Sequence, residues 1–585
     1  MPGTANNNQT KILYGPKSVN DAVKSICDIM RRGNVTSAVQ YVPELTWILF
    51  LCALDDIDRE MQEESDALGV TYTPPLHEPY RWRDWAAPDG DIRKGLDEKS
   101  PGSMFAFVND GLIPYLKGLK GRPGATARQK VISEIMSGVR QVGIDTERNF
   151  LDVLDRVHRF RHRTMDKDHV FGLSQVYEGL LLKMGEKNND GGQFFTPRQV
   201  IRAMVRVIDP RIGETIYDPG SGTGGFLAQS YEHIEEAIDA VGASDEQYAI
   251  LKERTFYGCE KESLIYPIAL ANLVLHGIDH PHIWHGNTLT GREIHGDLFA
   301  SAPHRFDVVL TNPPFGGKEG KDARNRFDYK TNATQVLYLQ HVMDTLKPKG
   351  RCGIVVDEGL LFRTNEEAFV ETKRRLLDEC NLWCVVSLPG GVFTQAGASV
   401  KTNLLFFTKG ECTKAIWYYD LSDLKVTKRR PLTLARFGDF FQCLPARSQS
   451  KASWTVDVVV RRERAASRAR PFHDRAREKS REAAHWKERL RKLRALVPVE
   501  RDAAAIEEAS DKLKRLTRAA RQFIAKATGI ENAVYDLRAS NPNKRLGVDT
   551  RTPDELLAII EEKGEEVRKA LAVVGSVSSK GLRDG

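Results

Sequence analysis

No run of apolar residues in this chain approaches the ~20 that a helix needs to span a bilayer. The longest, such as Trp47–Leu54, stop at acids, here Asp55-Asp56. The opening residues Met1-Pro-Gly-Thr-Ala-Asn-Asn-Asn lack a basic stretch followed by an apolar one. No secretory signal is therefore expected, and the expectation is a cytoplasmic protein with no membrane partner. Cysteine is sparse: Cys27, Cys52, Cys259, Cys352, Cys380, Cys384, Cys412 and Cys443 form no Cys-x-x-Cys pair. Cys380 and Cys384 have no second pair and no nearby histidines, so reduced thiols are expected and no metal. No glycine loop is followed by Lys-Ser/Thr, which argues against a P-loop and a nucleotide-driven motor in this chain. Repeats at solenoid periods are absent.

What is present starts with an uneven charge. Between Arg461 and Arg521 there are 20 Lys/Arg and 10 Asp/Glu, a net +10 against +7 for the whole chain, so the remainder sums to −3. A local basic surface suits nucleic-acid phosphates, and a solvated helical face has the same composition. The 585 residues suffice for two to four domains with their own cores.

Three regions separate by pattern. Residues 1–165 read as a helical domain: Val23, Ile26, Cys27 and Met30 recur at helical spacing, Leu45–Leu54 is an apolar helix, and Ala127–Val142 repeats the pattern. The cluster Tyr80-Arg-Trp-Arg-Asp-Trp85 is expected to pack between helices rather than to stack on a ligand. In residues 166–420, apolar runs at Thr215–Asp218, Thr255–Glu260, His282–Trp284, Phe306–Thr311, Arg351–Val356, Leu382–Leu388 and Thr402–Thr408 alternate with helical segments. That is the α/β pattern of a mostly parallel, Rossmann-like sheet, with the last two strands read as a closing antiparallel edge. Residues 421–456, following a short strand Ala415–Tyr419, read as a mixed linking segment. Residues 457–585 read as a helical, coiled-coil-like arm. There Trp486, Leu490, Leu493 and Val497, then Ile506, Leu513 and Ala520, and Ala509, Leu516 and Phe523, fall at helical or heptad spacing. Pro498 breaks the run into a hairpin, and a last helix is expected over Pro553–Val574.

Two motifs carry chemistry. Asp218-Pro-Gly-Ser-Gly-Thr-Gly-Gly-Phe226 closes a strand and opens a helix. Glycines there let the backbone approach a ligand. A dinucleotide site is a competitor, yet Asp218 at the strand end suits the ammonium of S-adenosylmethionine better than a pyrophosphate. Glu260, after the next strand, is placed to hold ribose hydroxyls. Asn312-Pro-Pro-Phe315 follows a buried strand. The Asn312 side-chain oxygen and the Pro313 carbonyl can accept both hydrogens of an aromatic amine, directing its lone pair at a methyl donor. Phe315 would stack on the base, which must leave the duplex to be reached.

The two motifs, in this order and spacing, resemble amino-group DNA methyltransferases. Gly192-Gln-Phe-Phe-Thr-Pro197, Tyr41-Val-Pro-Glu-Leu-Thr-Trp47, Val400-Lys-Thr-Asn-Leu-Leu-Phe-Phe407 and Tyr535-Asp-Leu-Arg-Ala-Ser-Asn-Pro542 resemble one branch, the modification subunits of type I restriction-modification systems. The resemblance implies an adenine-N6 DNA methyltransferase using S-adenosyl-L-methionine. It implies Asn312, Pro313, Pro314 and Phe315 as the catalytic turn, and Asp218, Gly220, Ser221, Gly222, Thr223, Gly224 and Glu260 around the cofactor. Gln193, Phe195, Thr196 and Pro197 would cover its methionine end. Asn287, in Gly286-Asn-Thr-Leu289, stands where the family usually has aspartate and is expected to accept from the cofactor's adenine amine through its oxygen. Implied partners are double-stranded DNA, a separate specificity subunit docked on the arm, and a restriction/translocase subunit, with two copies of this chain per specificity subunit. Methylation of RNA or of a protein glutamine, and a non-catalytic assembly role, remain as alternatives.

Overall fold

The computed structural model describes residues 16–35, 38–161, 196–295, 297–393, 400–427, 430–497, 502–538, 540–543, 557 and 561–568. Gln193, Phe195, Pro498 and most of the helix expected over Pro553–Val574 lie outside the described residues. The chain divides into two units, 1–539 and 540–585, and in the second residues 561–568 are helical.

The N-terminal region is helical, with Pro16–Arg32, Ala38–Leu68, Ala127–Met136 and Glu147–Arg161 as its main helices. The apolar stripes seen in the sequence are its core: Ile26, Cys27, Met30, Trp47 and Ile48 are all buried. The Ala127–Met136 helix opens with a capping box between Thr126 and Gln129. It ends short of the expected Val142 because Gly138, a poor helix former, follows. Trp82 and Trp85 are buried, and the Trp82 indole donates to His158 Nδ1 at 3.2 Å, so the aromatic cluster is core. The Ala127–Met136 helix packs on the Tyr266–Leu275 helix of the sheet domain, beside an Arg128–Asp279 ion pair.

The sheet has ten strands: β1 Ile216–Asp218, β2 Phe256–Glu260, β3 His282–Asn287, β4 Arg292–His295, β5 Phe306–Thr311, β6 Leu346–Asp357, β7 Cys380–Ser387, β8 Thr402–Lys409, β9 Ala415–Asp420 and β10 Ser453–Asp457. Their order is β10-β9-β7-β8-β6-β5-β1-β2-β3-β4. β3, β2, β1, β5 and β6 run parallel, and each reads as an apolar run because helices cover both faces. β7 and β8 are antiparallel, as expected, but they do not form an edge. β8 lies between β6 and β7, and its first six residues are buried, as a central strand requires. The sheet continues through β9, and residues 421–456 are more than a linker. They include the helix Gly438–Cys443 and lead into β10, which pairs antiparallel with β9.

The arm is a hairpin of Val458–Ala495 packed along Ala503–Asn532. Its seam keeps three of the expected positions, Leu490, Ala509 and Ala520, and adds alanines that the spacing did not single out. Beyond Val458 at the arm's start, the buried positions are Ala469, Ala476, Ala483 and Leu490 on the first helix and Ala509, Ala520 and Ala527 on the second. Alanine lets two helices approach closely, and that closeness pushes the bulkier residues to the flanks. Trp486, Leu493, Leu513, Leu516 and Phe523 are only half-buried.

Candidate active site

Strand order reverses beside β1: the chain builds β2 and β3 on one side, then returns to place β5 and β6 on the other. Such a switch opens a crevice at the carboxyl ends of the strands. Ile216 pairs with Val308 and Tyr217 with Val309, so Asp218 ends β1 close to where β5 runs out into Asn312. The two motifs, nearly a hundred residues apart in sequence, thus share one edge.

The loop after β1 is fixed by its own backbone. Gly224 has φ +79°, and a Cβ there would lie 3.1 Å from Leu273 Cγ. The Ser221 hydroxyl donates to the Asp218 carbonyl at 3.0 Å, so it braces the loop from inside. A Cβ on Gly258 would come within 2.2 Å of that hydroxyl oxygen, which is why β2 carries glycine there. Asn272 Nδ2 donates to the Thr223 carbonyl at 2.9 Å, and the Pro219 carbonyl accepts from Thr288 Oγ1 at 2.6 Å and Tyr338 Oη at 3.4 Å.

Two buried carboxyl groups lie under this loop. Asp218 is 1% exposed; its Oδ1 accepts from Gly220 N–H at 3.1 Å, while Oδ2 and the neighbouring Thr311 Oγ1 reach no partner at hydrogen-bond geometry. Burial pushes the Asp218 carboxyl up to about 7 against the opposing pull of the Thr311 hydroxyl and Gly220 N–H. Glu260 accepts from Gly222 N–H at 2.8 Å and Glu262 N–H at 2.7 Å, and burial still pushes it up to about 8. An unpaired oxygen on Asp218 suits a cationic ligand group. Each Glu260 oxygen keeps a lone pair for a hydroxyl donor.

The turn after β5 presents two acceptors. Asn312 Nδ2 donates to Thr196 Oγ1 at 3.0 Å, and its Oδ1 is buried without a partner. Leaving such an oxygen unmet costs about 1–3 kcal/mol, a cost that a ligand donor would relieve. Next to it in sequence, the Pro313 carbonyl accepts from Gln335 Nε2 at 3.5 Å. The Phe315 ring meets Phe393 edge-on, centroids 5.3 Å apart and planes at 78°. Two acceptors beside an aromatic pair fit a planar amine with two hydrogens.

The N-6 DNA methylase profile matches residues 166–464, and the HsdM N-terminal domain profile matches 19–155. The chain belongs to the N-6 DNA methylase family. It is 33% identical over 462 residues to the methylase subunit of the type I restriction enzyme EcoEI from Escherichia coli, covering 76% of this chain and 89% of the relative. A crystal structure of a modification subunit from Vibrio vulnificus YJ016 superposes with TM-score 0.66 at 33% identity, over 76% of this chain and 93% of that one. A chain of a type I R-M system, solved for its complex assembly and conformational transition, superposes with TM-score 0.59 at 31% identity over 98% and 100%.

The fold therefore gathers most residues expected of this N-6 DNA methylase: Asp218, Gly220, Ser221, Gly222, Thr223, Gly224 and Glu260 in one loop set, with Thr196 touching Asn312 across the crevice. Pro197 immediately precedes the Arg198–Ile208 helix. Two of the expected site residues make contacts within the chain that the sequence did not announce. Thr196, expected over the cofactor's methionine end, has its hydroxyl on the Asn312 amide. The Asn287 oxygen accepts from Leu289 N–H at 2.9 Å and Thr290 N–H at 3.2 Å, so the turn after β3 already uses it and only the amide nitrogen, a donor, is left. Thr288, Gln335 and Tyr338 were missed as supports of the two motifs. Gln335 left no distinct signal, because the helix Thr334–Thr345 also carries Gln340, His341 and Asp344.

Proposed function

We propose that this N-6 DNA methylase binds S-adenosylmethionine at the β1–β5 crevice and positions a flipped-out adenine of double-stranded DNA on the Asn312–Phe315 turn. The observation that carries this reading is the buried, unpartnered Asn312 oxygen beside the Pro313 carbonyl. The buried Asp218 carboxylate would face the cofactor's ammonium and Glu260 its ribose hydroxyls, while the loop Gly220, Ser221, Gly222, Thr223 and Gly224 brings the backbone close. When bound, S-adenosylmethionine supplies an electrophilic methyl group. The chain's residues do the rest. Asn312 Oδ1 and Pro313 O accept the two amine hydrogens, which localises the nitrogen lone pair for attack. Phe315, with Phe393 behind it, holds the base plane. A strong base is not required before transfer, because the amine loses its proton after it has gained the methyl.

The relatives named above are subunits of type I systems, and this chain is proposed to assemble with a specificity subunit, a restriction/translocase subunit and DNA, two copies per specificity subunit. The arm supports such docking: its alanine seam leaves Trp486, Leu513, Leu516 and Phe523 only half-buried along the hairpin. Nucleoside mass spectrometry of host DNA, with and without this gene, tests the reading. N6-methyladenine should fall on deletion. An unchanged level from a host that expresses the protein would refute it.

A further inference from the structure

Gln335 lies in the first turn of the Thr334–Thr345 helix and is 5% exposed. Both ends of its amide are engaged. Oε1 accepts from the Asp357 backbone N–H at 2.9 Å. A backbone N–H can only donate, so this bond decides which end of the amide is oxygen. Nε2 is then the end that faces the Pro313 carbonyl, at 3.5 Å, the long limit of a hydrogen bond. Its neighbours Val336, Leu337 and Leu339 are apolar and fully buried, so packing alone would have been served by another apolar residue. A buried amide in such a place is tolerated because both ends are met.

We propose that Gln335 is a positioning residue for methyl transfer, donating to the Pro313 carbonyl and so setting the plane of the acceptor that receives one hydrogen of the target amine. The inference rests on the reading of the turn given above. A carbonyl oxygen has two lone-pair directions; Gln335 takes one and leaves the other for the amine. The bond is long in the free protein and shortens when the amine arrives, as catalytic hydrogen bonds do. The same glutamine ties the turn to the end of β6, where the Asp357 side chain caps the Glu358–Phe362 helix at Leu360 N–H, 2.7 Å away. Pro313 is thereby anchored from α/β core structure and Asn312 from Thr196, one support for each acceptor.

The test uses the assembled methylase complex carrying Gln335→Glu or Gln335→Leu. Protonated, a glutamic acid keeps an oxygen for Asp357 N–H and an O–H for the Pro313 carbonyl. Ionised, it loses the donor and repels that carbonyl. The ionisable groups nearby include Glu319, which accepts from Thr334, Asp357, and Glu358 paired with Lys401, together with Tyr338 and His341 on the residue's own helix. Burial raises the introduced carboxyl, so its titration falls within an accessible range, about pH 6 to about pH 8.5. The kcat of Gln335→Glu relative to wild type should rise severalfold as pH falls through that range. Gln335→Leu should be about tenfold slow at every pH, with cofactor and DNA affinity kept. Taking the ratio to wild type removes the titrations of Asp218 and Glu260, which both proteins share. A flat ratio, or a leucine variant with wild-type kcat, overturns the role of Gln335 while the turn reading stands. A wild-type complex that transfers no methyl to adenine overturns the turn reading, and this inference with it.

Discussion

At the residue scale, the two carboxyl groups under the glycine loop make the crevice sensitive to pH. Asp218 at about 7 and Glu260 at about 8 are raised above ordinary carboxylates by burial. Their contribution to folding is therefore fully present below the ordinary carboxylate range and is lost as pH rises through about 7 and about 8. A ligand ammonium beside Asp218 favours the charged form, so binding below about 7 releases a proton and cofactor affinity strengthens as pH rises through that value. Calorimetry in buffers of different ionisation enthalpy reads both effects, and a pH-independent affinity would remove Asp218 from the ammonium site. Asn287 makes a second prediction. Its oxygen is consumed by Leu289 and Thr290 N–H groups, whereas an aspartate could satisfy them with one oxygen and offer the other. Asn287→Asp should tighten S-adenosylmethionine by about five- to tenfold, since a charge-assisted bond is worth roughly 1 kcal/mol or more. No gain in a binding titration would mean that the adenine end is held elsewhere. None of these details was legible in the sequence. Asp218, Glu260 and Asn312 were, because their residue types follow strand ends. The acceptor already spent on a turn and the amide fixed by Thr196 depend on three-dimensional neighbours.

At the scale of elements, the strands that hold the site were visible because a buried parallel strand is a short, uniformly apolar run. β4 was not: all four of its residues, Arg292–His295, are exposed, so no hydrophobic signal marks it. The place of β8 was also hidden, since periodicity tells buried from exposed but not which strand lies beside which. In the arm, heptad spacing located the hairpin and part of its seam, Leu490, Ala509 and Ala520, but passed over Ala469, Ala476, Ala483 and Ala527. Large residues draw attention in a sequence, yet Ala469, Ala476 and Ala483 are buried where Trp486 and Leu493 are only half-buried. Ala476→Leu should overpack the seam and lower arm stability by about 1–3 kcal/mol, while cofactor binding stays unchanged. Thermal melting and co-purification with the specificity subunit check this. Full assembly and an unchanged melt would show that the seam tolerates bulk.

At the scale of the whole molecule, the charge is concentrated on the arm while the rest of the chain is slightly acidic. The arm's first helix keeps Arg464, Arg468, Arg475, Arg477 and Arg481 exposed. If these meet the DNA backbone, neutralising three of them should make the slope of log affinity against log salt shallower by about 2–3, without changing which adenine is methylated. Fluorescence anisotropy over a salt series measures the slope; an identical slope would assign the basic face to solvent or to a protein partner. Among the described residues, no helix is long and apolar enough to cross a membrane.

The central claim is that Asn312 and Pro313 hold the target amine. The direct measurement is transfer of labelled methyl to adenine by the assembled complex, wild type against Asn312→Ala, with S-adenosylmethionine affinity measured on both. The account requires transfer to fall by about a hundredfold or more, the scale of losing one preorganised polar contact, with cofactor affinity within about twofold. Wild-type turnover in the Asn312→Ala complex would contradict it.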